Sequence, residues 1–547
     1  MTAPSENGIV KDTNSSAGHG SYRSGFAFGG LGFLLAAVLG VASMIVTSRL
    51  YGVRIIGQFA LVSAPVGVLW ILSTVKEQQA LIREITGLAP RHPRVTQVFA
   101  AVFTFSSGLT AAVAMLDAVV CRFVFHGPLH APKLIAPAFV SITGYAIVTN
   151  TGWNIDSIFS AFVAGRQIFW VRLHEVLSFI AIAVIAGLVR PSVWGLVIAT
   201  IGGSLTALIH RAIAVRAFVR ARLSREEYRA GLRVLPDLLR FGLKATPGQI
   251  AQGVSQQGGV WALGTVAPVA VVGAYSRAQM IPQRLQQASM RISEVLYPTL
   301  VGRRAEGDGH GFDRALIDSI RYEMIGMLLI AAVIGGAAHS VLEVFGPGFG
   351  RATSALALLA LFPALASVTV TQTQALWATN RPGRTSLIAM VRAAITIILL
   401  VVLTPRIGII GPAIALVAGY LVVIALSGIA LRPSLTRPLR ATWPAGERLA
   451  LLGAYAAGFV VASVVEHAVP WPATLPLSLA AGALTYGVVF LATGGINDRD
   501  RQRVSEAIEI ARSRRERRRA ARQRQVESAQ RTDDDLDGER LAGPLVP

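Results

Sequence analysis

Three arginines, Arg277, Arg284 and Arg291, recur every seven residues in a stretch that otherwise reads as membrane-embedded. Seven residues are almost two helical turns, so each step drifts by only ~20° and the three guanidiniums share one face. With the 3-4 spacing filled in, the stripe reads Arg277, Met280, Arg284, Gln287, Arg291, Glu294. An arginine at the centre of a bilayer costs about 2.5–3.5 kcal/mol on insertion scales. A stripe of three is therefore expected to look into a wet cavity or at fixed partners, and a basic cavity suits an anionic substrate. Ion pairs between helices, or an early exit of the helix from the bilayer, are the plainer alternatives. Arg291, with Glu294 three residues on, is the member most easily read as structural.

The preceding hydrophobic segment carries Gln249, Gln252 and Gln256 on one face, with Gln257 beside them and a bend-permitting Pro247. Amides both donate and accept, so such a ladder suits a hydroxyl-rich ligand as well as bonds between helices. Thr369, Thr371, Gln372, Thr373 and Gln374 form a second polar group, and Asn150, Thr151, Asn154 and Asp156 a third. Asp156 is the clearest carboxylate inside a hydrophobic segment, with Glu175 next. An intramembrane acid is a candidate for ion coupling. Pairing of Asp156 with Arg166 or Arg172 is the structural alternative.

These residues must be positioned by membrane helices. The chain has 547 residues, 53% hydrophobic and 15% charged, with a mean hydropathy of +0.55, values of a polytopic membrane protein. Segments near 25–48, 55–75, 96–118, 132–155, 168–188, 194–215, 241–263, 268–298, 323–344, 352–376, 385–404, 408–430, 448–468 and 473–493 are long enough to cross. With an internal N-terminus, 41 Lys and Arg fall on inner segments and seven on outer ones, leaving the three of the stripe. That asymmetry predicts both termini inside the cytoplasmic membrane.

An internal repeat organises the spans. Gly57-Gln58-Phe59-Ala60 and Gly273-Ala274-Tyr275-Ser276 are 216 residues apart, as are Gly195, Ile198, Ala199 and Gly411, Ile414, Ala415. Six spans and a basic loop make an even unit, so the copies are parallel and related by an axis along the membrane normal. The expected organisation is a disordered cytoplasmic N-terminus (1–23), a six-helix lobe (24–218) and a basic linker (219–240). A second six-helix lobe (241–431), two further transmembrane helices (447–493) and a basic cytoplasmic tail (494–547) complete it. The tail's arginines, clustered at Arg514, Arg515, Arg517, Arg518 and Arg519, suit anionic lipid headgroups. The excess charge of +21 is read the same way rather than as nucleic-acid binding.

No enzyme signature occurs: neither HExxH, GxSxG, a Walker A loop nor CxxC is present, so no catalytic residue is assigned. One cysteine, Cys121, excludes a disulfide framework and a cysteine-based metal site, and neither metal nor cofactor is expected.

Arg49-Leu50-Tyr51-Gly52 followed by Gly57-Gln58-Phe59-Ala60 resembles the link between the first two helices of polysaccharide (O-antigen type) flippases. Val272-Gly273-Ala274-Tyr275-Ser276 with Val295-Leu296-Tyr297-Pro298 is similar to that family's eighth helix, and Ile407 to Ala415 to the start of its twelfth. Over roughly residues 25–430 the chain resembles the multidrug/oligosaccharidyl-lipid/polysaccharide exporter superfamily. The fourteen segments make an all-α fold, and the resemblance implies two six-helix lobes around a central cavity that opens alternately to either side. The implied substrate is a glycan linked to a polyprenyl pyrophosphate. Membrane lipids and polysaccharide assembly proteins are the implied partners. Arg277 and Arg284 would then hold the pyrophosphate, with the amides on the sugars. A lipid II flippase and a cation-coupled drug exporter share the fold. The former is expected to carry basic residues in its first two helices, which this chain lacks at mid-span. The latter is expected to line its cavity with carboxylates.

Overall fold

A computed structural model describes residues 22–73, 77–162, 164–220, 223–243, 246–436 and 443–495, with isolated positions at 500, 502, 509 and 513. The N-terminal 21 residues and nearly all of the tail, with its arginine cluster, lie outside the described residues. Everything described is helix or short connection.

The first eight helices are α1 (Tyr22–Leu72), α2 (Glu77–Ile85), α3 (Pro93–His126), α4 (Ile135–Gly144), α5 (Asn150–Ala161), α6 (Gly165–Val189), α7 (Val193–Ala214) and α8 (Arg225–Leu243). A π-helical turn, Tyr145–Thr149, joins α4 to α5. Then come α9 (Thr246–Val266), α10 (Val269–Ala305), α11 (Gly309–Gly336), α12 (Ala338–Glu343), α13 (Thr353–Leu359) and α14 (Phe362–Ala378). The last are α15 (Pro382–Ile407), α16 (Ile410–Leu431), α17 (Ala445–Ala468) and α18 (Thr474–Ala492).

Ten helical stretches among the described residues are long and apolar enough to cross a membrane, which makes the chain a multi-pass membrane protein. The expected figure of fourteen is not reached on that measure, for two physical reasons. α1 runs through the first two expected spans as one element of 51 residues, broken at Gly52, whose φ of 72° no ordinary helix residue adopts. None of the expected spans 7 to 9 is among the ten: α10 carries the arginine stripe, α9 four glutamines, and α11 five charged residues in its first half, up to Glu323. The outward surface is apolar, as a lipid-facing one must be: Met115, Leu116, Val119 and Phe123 on α3, and Leu177, Ile185, Leu188 and Val189 on α6, are all exposed.

The 216-residue repeat has a direct spatial counterpart. α7 packs along α6 where Gly203 meets the Glu175 carbonyl and Phe179. α16 packs along α15 where Gly419, 216 residues later, meets Arg392 and Thr396. α1 lies against both α6 and α10, while α9 lies against α15, α16 and the second half of α1. α17 and α18 pair closely and lie on α11, where Gly336 meets the Phe459 carbonyl and Gly458 meets that of Gly482.

Candidate functional site

α10 presents its arginines to two different environments. Arg277 is 5% exposed and is clasped by α1. Its Nε donates to Ser48 Oγ at 2.7 Å, one Nη to Thr47 Oγ1 at 3.3 Å and the other to Met280 Sδ at 3.2 Å. These acceptors are neutral, so no counter-charge offsets the guanidinium among the described residues. Arg284, two turns on, is exposed and donates to Gln287 Oε1 at 3.3 Å. Neither pairs with a carboxylate among the described residues. Arg277 therefore sits sealed at the contact between α1 and α10, and Arg284 reaches open space. The side chain of Arg291 lies outside the described ones.

α9 contributes less than its sequence suggests. The side chains of Gln249 and Gln252 lie outside the described ones, and Gln256 is half-buried, its backbone carbonyl accepting from Gln279 Nε2 at 2.7 Å. Gln257 is the amide that crosses to α1, against Gly67, where a Cβ would stand 2.8 Å from its Nε2. Gln279 and Gln286 on α10 are both buried. They repeat the seven-residue spacing two positions after Arg277 and Arg284, a signal that extending the stripe sideways would have exposed.

Asp156 is the centre of a four-membered ionic cluster. Arg211, 1% exposed at the end of α7, grips it with Nε–Oδ1 at 2.8 Å and Nη2–Oδ2 at 2.9 Å. Arg172 approaches the same carboxylate at 3.4 Å and Glu175 at 3.2 Å, and Arg211 reaches Glu175 at 3.6 Å. Gly152 makes room for the Arg211 guanidinium, since a Cβ there would stand 2.8 Å from Nη1. Of the two expected partners, Arg172 is present. Arg211 was missed because an arginine at the end of a span, here 194–215, reads as a charge reaching the membrane surface.

Arg392, within the expected span 385–404, was likewise not singled out; it lies well inside α15, 5% exposed, its guanidinium carbon 4.7 Å from the centre of the Tyr420 ring. Its Nε has no hydrogen-bond partner among the described residues. Arg277 and Arg284 on α10, and separately Arg392 between α15 and α16, thus have no carboxylate partner among the described residues, while the acids on α5 and α6 are neutralised by Arg172 and Arg211. Such a distribution can hold an anion on the α10 side. No group of three His, Cys, Asp or Glu among the described residues is placed to hold a metal ion.

A family model described as "Polysaccharide biosynthesis protein" matches residues 46–321, just over half of the chain. The chain belongs to the polysaccharide biosynthesis protein family. The matched stretch of this family member runs from α1 into α11, and so includes both the ionic cluster and the arginine stripe. It is 27% identical over 253 residues to "Probable flippase AglR" of Haloferax volcanii, an alignment covering 45% of this chain and 52% of that protein. The chain thus spans about half the length of the curated relative it matches. Among solved structures, a lipid II flippase, MurJ, in an inward closed conformation superposes with a TM-score of 0.63 at 11% identity, over 86% of this chain and 99% of the other. An inward-facing multidrug resistance MATE family transporter of the MOP superfamily superposes with a TM-score of 0.52 at 16% identity, over 75% and 95%. At such identities the likeness is one of fold, and it bears out the expected all-α membrane architecture of the exporter superfamily.

Proposed function

We propose that this chain is a flippase that moves a polyprenyl-pyrophosphate-linked oligosaccharide from the inner to the outer leaflet of the cytoplasmic membrane by alternating access between two lobes. The observation that carries this reading is the pair Arg277 and Arg284: two guanidiniums on one helix face, inside a membrane protein, with neutral partners only. Arginine's planar fork matches phosphate oxygens in bidentate fashion, and a pyrophosphate offers several. The relative named a probable flippase and the membership in a polysaccharide biosynthesis family support the substrate class. Gln249, Gln252 and Gln256 would face the sugars, and Arg291 would extend the stripe. Asp156, held by Arg172 and Arg211, would be the coupling acid. The 41-to-7 distribution of basic residues supports cytoplasmic termini. A drug exporter of the same fold is disfavoured, because organic cations call for carboxylates where this chain has arginines.

Charge reversal tests the reading. Arg277→Glu and Arg284→Glu should each abolish rescue of a deletion strain's surface polysaccharide at normal expression, while Arg→Lys at either position should leave part of it. Full rescue by both reversals would remove the basis for an anionic substrate.

A further inference from the structure

One face of α3 reads Ser106, Thr110, Asp117 and Cys121, spaced by four, seven and four residues and all buried. Facing it are α4, the π-helical turn and the start of α5. Asn154 of α5 donates to Ser106 Oγ at 3.2 Å, which fixes the register of the two antiparallel segments. Asn150, one turn back, then stands level with Thr110. Asp117 stands two turns further along α3, level with the π-helical turn's start.

Five buried side-chain atoms here have no hydrogen-bond partner among the described residues: Thr110 Oγ1, Asp117 Oδ2, both amide atoms of Asn150, and Asn154 Oδ1. Native interiors complete such groups with ordered water, which needs two to four polar partners, and these atoms supply them. The π-helical turn beside them is a local irregularity of the kind that recurs at functional sites.

Asp117 is 6% exposed, and its Oδ1 accepts only the Cys121 thiol at 3.7 Å, a weak donor. Among the described residues no cation pairs with it. The second half of α1, from Ile55 to Leu72, and all of α4 contain no ionisable residue; the π-helical turn offers only Tyr145. On α5 the acid is Asp156, already bound to Arg211; on α3 itself Arg122 and His126 are exposed, as is Lys133 on the short turn Pro132–Leu134 that packs against α3. α2 and α8 lie toward the opposite end of α3, where Gly231 meets the Gln97 carbonyl. An ionised carboxylate so placed is far less favourable than the neutral acid.

We propose that Asp117 is a proton-binding site, its carboxyl neutral in this conformation and served by the polar file of Thr110, Asn150 and Asn154. The carboxylate takes its proton from hydronium, leaving water, when the site opens, and returns it to water when the surroundings polarise. Any lobe movement that changes the burial of Asp117 is then linked to proton uptake or release. The inference concerns the α3–α5 side of the molecule and does not depend on which substrate α10 binds.

Purified full-length protein treated with dicyclohexylcarbodiimide, which attacks protonated carboxyls in apolar surroundings, tests this by peptide mass spectrometry. The peptide carrying Asp117 should be labelled, with labelling falling as the pH is raised. Labelling should vanish in the near-isosteric Asp117→Asn variant and persist in Cys121→Ser. Infrared difference spectra between acid and alkaline protein should show a carboxylic C=O band that Asp117→Asn lacks. Absence of both the label and the band in the wild-type protein overturns the proposal. So does full protection of the label by sodium or potassium at constant pH, which would make the site that of a metal cation.

Discussion

Gly57 and Gly273, the repeat-related glycines, touch each other's helices at equivalent points. A Cβ on Gly57 would collide with the Val269 carbonyl, and one on Gly273 with the Val53 carbonyl. Val53 and Val269 are themselves 216 residues apart. A Cβ on Gly273 would also stand 2.8 Å from the Gly57 nitrogen. The local two-fold axis relating the copies therefore passes between two backbones, and any side chain there must push helices apart. Gly273→Val should destabilise this closed contact by about 1–3 kcal/mol, the usual range for overpacking. Thermal unfolding of the purified protein checks this, with Gly108→Ala, where a Cβ meets nothing within 4 Å, as the control that should not melt earlier.

Removing one member of the Asp156 cluster should be worse than removing the pair. Arg211→Met leaves the part-buried Asp156 with Arg172 at 3.4 Å in place of its bidentate partner, a loss below the roughly 3–5 kcal/mol of a fully buried broken pair. Asp156→Asn combined with Arg211→Met should recover much of that. A double-mutant cycle read by denaturation midpoint gives the coupling. If the two single losses simply add, the cluster is not a unit.

The hydroxyls that hold Arg277 make a prediction separate from its charge. Thr47→Val with Ser48→Ala removes two of its three acceptors while leaving the cation. If Arg277 leaves α1 to meet substrate, this double variant should retain surface-polysaccharide rescue that Arg277→Ala loses. Equal loss in both would make the Arg277–α1 contact structural.

Two acids outside the membrane spans fix a pH dependence. Asp308 caps α11: its Oδ1 accepts from the Gly311 nitrogen at 2.7 Å, and Arg303 lies 2.9 Å from its other oxygen. Chiefly that backbone bond, aided by Arg303, holds its carboxyl below the ordinary aspartate value of 3.8. Glu227 is depressed likewise by the Ser224 backbone and side chain at the start of α8. A depressed native value means the contribution is complete above the unfolded value and is lost as the pH falls through the native one. Protection of the Gly311 amide from hydrogen exchange should therefore be flat above that ordinary value and weaken below it. Asp308→Ala should abolish this dependence.

The sequence made the helical membrane class plain, because apolar runs of ~20 residues with basic loops admit little else. The repeat was legible in Gly57 and Gly273, and its meaning became spatial only when Val53 and Val269 proved to be their contacts. The stripe of Arg277 and Arg284 was legible from a spacing of seven. Its acceptors Thr47 and Ser48 were not, since hydroxyls are common near helix ends and carry no spacing of their own. Arg211 and Arg392 fall within the inner ends of expected spans, where hydropathy cannot tell an arginine that leaves the helix end from one folded back inside. Asp117 escaped notice for a related reason. The expected third span stopped at residue 118, whereas α3 continues to His126 and leaves the acid well within the helix.

The glycines between α11, α17 and α18 bear on what shortening the chain would do. Gly336 meets the Phe459 carbonyl, Gly458 that of Gly482, and Ser340 donates its backbone N–H to Glu466 at 2.7 Å. The final hairpin is thus set into a seam of α11 at main-chain depth, like a stave in a cask. A truncation before residue 445 would turn that seam, with Gly335 and Gly336, toward lipid. It should yield a protein that melts earlier than the intact one, even if the arginine stripe on α10 is untouched.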